Sequence, residues 1–151
     1  MASGWTNRGK YLTLGSRYRG TTIPANFYMA LCTSAAAPTA DTNKLSEMTQ
    51  IASGNGYTTN GIQLTPNATD FDVFTEDDTN DRALIQIKDL VWTASGGNLP
   101  ASGNGARWAV LTDDNATAGS RQVEDWFDLV SDRTVSDTQT LTLQNAELRL
   151  A

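Results

Sequence analysis

Phe27-Tyr28-Met29-Ala30-Leu31-Cys32-Thr33 decides how the rest of this chain is read. An extended segment turns successive side chains to opposite faces, and here both faces are apolar. Such a strand has no side to give to water, so it belongs at the centre of a sheet covered on both sides. Cys32 then reads as a small core hydrophobe, because no base or cation pattern beside it suggests an activated thiolate.

Other strand signals lie downstream. Residues 34–43 are an Ala/Pro/Thr-rich loop, and Leu45, Met48 and Ile51 permit one or two helical turns. Residues 62–65 read as a short strand ended by Pro66, and Phe71, Val73 and Phe74 as another. Residues 75–82 read as an acidic loop. The longest signal is 83–93, with Ile85 and Ile87 on one face; Leu90 and Trp92 continue that face if Asp89 sits in a bulge. Residues 107–112, 123–130, 140–143 and 148–150 complete the set. Ser53-Gly54-Asn55-Gly56 and Ser102-Gly103-Asn104-Gly105 are turn signals, since Asn and Gly tolerate positive φ. About eight short strands with Gly/Asn/Asp turns between them predict a mainly β protein, an antiparallel β-sandwich over residues 21–151.

Residues 1–20 form a separate basic arm or helix in this reading. Thr6 or Asn7 can cap a short helix, because a side-chain oxygen there can accept a free amide of the first turn. Tyr11, Leu14 and Tyr18 recur at helical spacing with Leu12 beside them. Gly20 is placed to end the helix in a left-handed conformation. Gly9 and Gly15 weaken it by about 1 kcal/mol each, so it needs a surface to pack on.

Charge divides the chain in the same place. Arg8, Lys10, Arg17 and Arg19 all precede the first acid, Asp41, so the first 40 residues carry +4. The whole 151-residue chain carries −6, which leaves −10 for the rest. A basic segment on an acidic body suits a subunit that docks one end onto a neighbour. The overall acidity argues against a nucleic-acid binder, which needs a basic face to displace phosphate counterions. No apolar run reaches the ~20 residues of a membrane span. The first residues lack the apolar core of a secretory signal, so synthesis and folding in a cytoplasm are expected.

The absent residue types narrow the chemistry. There is no His and only one Cys, so imidazole-based triads, imidazole zinc sites, disulfides and thiolate clusters are not expected. The dense acidic stretches could hold Ca²⁺ through Asp77, Asp78 and Asp81 or through Asp113 and Asp114. Neither stretch matches the twelve-residue calcium loop, and no cofactor is expected. Glycoside hydrolysis would need a raised-pKa acid beside an ionised partner. Glu47, Glu76, Glu124 and Glu147 are the only glutamates. They read as loop or exposed-face residues without an apolar cleft, so no enzyme is expected. Trp92, Trp108 and Trp126 fall within strand patterns and read as core. Trp5 lies outside any pattern and reads as an anchor for a partner, with Tyr11 and Tyr18.

Several stretches resemble one group of proteins. The opening Trp5-Thr6-Asn7-Arg8-Gly9-Lys10-Tyr11-Leu12 resembles the start of small structural virion proteins of tailed bacteriophages, and Ile23-Pro24-Ala25-Asn26-Phe27-Tyr28-Met29-Ala30-Leu31 resembles their first strand. Gly54-Asn55-Gly56-Tyr57 is similar to their Gly-Gly-Gly-Tyr turn, and Trp108-Ala109-Val110-Leu111-Thr112-Asp113 to their second core strand. Thr134-Val135-Ser136-Asp137-Thr138-Gln139-Thr140-Leu141-Thr142-Leu143 is similar to their final strand, with Asp137 and Thr138 where Gly is common.

The resemblance implies a non-enzymatic virion protein, made in a bacterial host's cytoplasm and bound to other virion proteins. It brings no catalytic or ligand residues. A capsid-surface decoration or cement subunit is the leading expectation, as a homo-oligomer and by analogy a trimer. A tail-fibre, tail-tip or baseplate subunit is the alternative, and a carbohydrate-binding host-attachment module, read from aromatics and acids in loops, is a third. The docking residues are expected to be Trp5, Arg8, Lys10, Tyr11, Arg17, Tyr18 and Arg19. Removing residues 1–20 is expected to leave a folded sandwich that no longer attaches.

Overall fold

The computed structural model describes residues 1–150. Phe27–Cys32 is a central strand, as its double-sided apolar pattern requires. In chain order the elements are β1 (Ser3–Trp5), α1 (Asn7–Arg19), β2 (Phe27–Cys32), β3 (Ile62–Leu64), β4 (Val73–Asp77), β5 (Arg82–Ile87), β6 (Leu90–Thr93), β7 (Ala106–Thr112), β8 (Val123–Arg133), β9 (Thr140–Leu143) and β10 (Ala146–Leu150). A five-stranded sheet runs β1-β8-β7-β2-β3; β10-β5-β4 and β6-β9 form two smaller sheets, and every pairing is antiparallel.

Both faces of β2 are covered. Met29 and Leu31 enter the main core with Ala109, Leu111 and Phe127 from one side, and with Ile87, Leu90, Trp92 and Leu148 from the smaller sheets. Ala30 and Cys32 point the other way, with Val110 and Val123, under Leu45 and Met48 from the loop that follows β2. Cys32 is fully buried, and burial pushes its thiol up to about 12. Trp92 is buried, and Trp108 meets Trp126 edge-on with ring centroids 5.6 Å apart.

Two expectations are corrected. The single strand expected over 83–93 is two strands in different sheets: β5 pairs with β10 and β6 with β9. Asp89 is therefore not a bulge within one ladder but part of a corner. The corner is held by Lys88, whose ammonium pairs with Asp70, and by Gln144, whose amide donates to Asp89 at 3.0 Å. The returning chain turns beside it, between β9 and β10, with Asn145 at φ 54°. The acidic loop expected over 75–82 is mostly a hairpin. Glu76 and Asp77 lie in β4, opposite Ala83 and Arg82 of β5.

Candidate docking site

The N-terminal segment begins inside the sheet. Ser3, Gly4 and Trp5 pair with Phe127, Trp126 and Asp125, making β1 the edge strand beside β8. The Thr6 backbone N–H donates to the Glu124 carbonyl at 3.0 Å, and its hydroxyl donates to the Val123 carbonyl at 2.6 Å. The same oxygen accepts from the Gly9 N–H at 2.8 Å, so a fully buried Thr6 both ends β1 and caps α1. Gly20, at φ 67°, closes the helix. A cut at residue 20 would thus remove a sheet edge along with the helix. Residues 1–20, expected as a separate arm, are joined through β1 to the sheet that residues 21–151 build.

Helix α1 faces the body with its small residues. At 3.6 residues per turn, Gly9, Thr13 and Ser16 share one face, and Tyr11, Leu14 and Tyr18 share the opposite one. Gly9 is buried against β8. Tyr11, Leu14 and Tyr18 are 65%, 58% and 77% exposed. This stripe is flanked by Lys10 and Arg17 on one side and by Arg8 and Arg19 on the other. The Arg8 guanidinium lies 5.2 Å from the Tyr11 ring centroid and donates to the Gln122 side chain. The helix thus lacks the usual apolar stripe turned to the core: only Leu12, half-buried, is a large apolar residue away from the outer face.

Six of the seven expected docking residues therefore lie on α1. The seventh, Trp5, lies in β1, where it packs against the main core and faces a groove rather than the outer side of the helix with Tyr11 and Tyr18. Leu14 belongs to the stripe beside Tyr11 and Tyr18. The spacing that grouped it with Tyr11 and Tyr18 was the signal for it.

A second feature is a groove of about 470 Å³ beneath the inner face of α1. Trp5, Phe27, Phe71, Phe74, Ile85 and Leu148 line it, and Thr13 and Glu124 lie at its helix side. Glu124 corrects the expectation of an exposed glutamate. The register slips by one between Leu111–Asp125 and Thr112–Val123, which leaves Glu124 as the extra residue of a bulge. It is only 8% exposed. Burial first, then the charges of Asp113 and Asp125, push its pKa up to about 7. Burial likewise raises Asp125 to about 7, against the Trp126 and Gly4 N–H groups that draw it down.

The calcium candidates are not grouped. Asp77 accepts from Arg82 and from Asn80, each at 2.8 Å, which holds it below the usual carboxylate range. Asp78 and Asp81 are exposed at the hairpin turn. Asp113 accepts from the backbone N–H groups of Gln122 and Asn115, and Asp114 from that of Asn26. Among the described residues no three His, Cys, Asp or Glu side chains come together as a metal site. Asp77, Asp113 and Asp114 fasten loops. No helix among the described residues is long and apolar enough to cross a membrane.

Comparison of the chain with protein-family models, with curated proteins and with solved structures finds no match.

Proposed function

We propose that this chain is a non-enzymatic structural subunit of a tailed-phage particle, a capsid-surface decoration or cement protein, and that the outer face of α1 is its contact with neighbouring subunits. One observation carries the reading: the helix keeps its small residues for the body and turns Tyr11, Leu14 and Tyr18 outward between four cations. An exposed apolar stripe adds nothing to the stability of the monomer, and contiguous patches of this kind mark association sites. Aromatic burial would supply most of the affinity and the flanking cations would set register. The phage assignment rests on the sequence resemblance.

The test is attachment to particles lacking the protein, using the full chain with Tyr11→Ser, Leu14→Ser and Tyr18→Ser together. The expected result is a folded protein with wild-type thermal stability and no particle occupancy. Occupancy equal to wild type would sink the assignment of the stripe. Copy number separates capsid from tail: hundreds per particle support the capsid reading, and a dozen or fewer replace it with a tail component.

A further inference from the structure

The groove and the helix stripe are both apolar, and their flanking charges are of opposite sign. We propose that the groove of one copy receives the outer face of α1 from a second copy of this chain. This rests on the reading of that face as a contact surface and names its partner.

The groove supplies what the stripe lacks. Its wall includes Phe74, which is 80% exposed on β4 and has no reason in the monomer to be aromatic. Phe74, Ile85 and Leu148 stand side by side across β4, β5 and β10. Two residues further along each strand, on the same face by the period of a strand, come Glu76, Ala83 and Leu150. The apolar wall therefore runs directly into the acidic end of the β4–β5 hairpin, where Glu76, Asp78 and Asp81 line a shallow depression with Arg82, whose charge is already paired with Asp77. At the other end, the buried Glu124 lines the groove. An occupant that satisfies this surface is apolar along its length and basic at its edges. Tyr11, Leu14 and Tyr18, flanked by Lys10, Arg17, Arg8 and Arg19, meet that description.

The contact has to be between copies. Thr13 lines the groove, and Thr13 is on the opposite face of α1 from Tyr11 and Tyr18. The helix cannot turn its stripe onto its own groove while Gly9 and Thr6 hold it on β8. Stripe and groove are also different surfaces, so the association is head-to-tail. Such an interface closes into a ring when its rotation permits.

The experiment is sedimentation of the full-length wild type, of Leu14→Ser/Tyr18→Ser (groove intact) and of Phe74→Ser/Glu76→Lys (stripe intact). Both variants alter exposed residues, and their melting curves verify the fold. The expected result is an oligomeric wild type and both variants at the monomer mass of 16.3 kDa. An equimolar mixture of the two variants should form a dimer and go no further, because only one productive contact can form. A wild type that stays monomeric overturns the proposal, as does an oligomer that survives the groove substitutions. If either occurs while Leu14→Ser/Tyr18→Ser loses particle attachment, the docking role of α1 stands and only self-association falls. If that variant attaches as wild type does, the docking role falls with it.

Discussion

Gly9 lies so close to Glu124 that a Cβ placed on it would stand 2.2 Å from the Glu124 carbonyl oxygen. The atom in the way is backbone, and the Thr6 N–H is bonded to that same oxygen at 3.0 Å. Gly9→Ala must therefore lift α1 from β8 or break the bond that seats it. We expect a loss of about 2–3 kcal/mol, or a melting temperature lower by roughly 5–10 °C. Gly15→Ala is the comparison, since a Cβ there would meet only the side chain of Thr21. Equal melting temperatures for the two variants would contradict this account of the seam.

Thr6 does three jobs with one side chain and its backbone, so its hydroxyl should matter more than that of an ordinary cap. Thr6→Ala is expected to cost about 1–2 kcal/mol, and Thr6→Ser to recover most of it. Chemical denaturation of the two variants checks this. A serine variant as weak as the alanine variant would mean that the methyl group, not the bond to Val123, is what counts.

The pH dependence is set by carboxyls pushed in both directions. Glu124 and Asp125 hold their protons to about pH 7 when folded, whereas the unfolded chain releases them near pH 4. The folded state thus binds more protons over that interval, and stability must fall as pH rises through it. Asp70 and Asp128, held low by Lys88 and Arg107, act in the opposite sense and withdraw stability only below their unfolded values. The melting temperature should rise by roughly 5 °C or more on going from about pH 8 to about pH 5. Glu124→Gln should flatten the curve and be the more stable protein at alkaline pH. A wild-type curve that is level between pH 5 and pH 8 would refute this.

Tyr57 is buried with its hydroxyl donating to Gln50 at 2.9 Å and accepting from the Leu31 N–H at 3.1 Å. Tyr57→Phe leaves that N–H in the centre of β2 without its partner. A loss of about 1–2 kcal/mol is expected. Thermal melting gives the answer, and a neutral substitution would show that the bond to Leu31 is dispensable.

Cys32 should be silent toward thiol reagents in the native protein, since it is fully buried and its thiol is raised to about 12. Labelling should appear only when unfolding begins, in step with the loss of tryptophan signal. Rapid labelling of the native chain would mean that the loop over residues 34–50 opens far more readily than its packing implies.

How much of this was legible in sequence depended on how local the determining contacts were. β2 declared itself because both its faces are written in six consecutive residues. The cap at Thr6 and the stop at Gly20 are also local, and both were readable. Trp5 was not, because β1 is three residues long and its partner Asp125 lies at the far end of the chain. The corner at Lys88-Asp89 is compatible in sequence with a bulge, because the apolar pattern resumes correctly on its far side and only the identity of the partner strands reveals the switch. Glu124 was misplaced for a related reason. Its burial follows from a one-residue slip between β7 and β8, which no pattern in β8 alone records.

The outward-facing stripe of α1 separates two constraints that most helices carry on the same residues. Its inner positions, from Thr6 through Gly9 to Thr13, answer to the sheet and tolerate little. Leu14, Tyr18 and, apart from the Arg8 guanidinium over its ring, Tyr11 are turned to solvent, and substitutions there should shift folding free energy by no more than about 0.5 kcal/mol. Specificity can therefore be rewritten on this helix without re-solving the fold, and a drifting partner could be followed one exposed residue at a time.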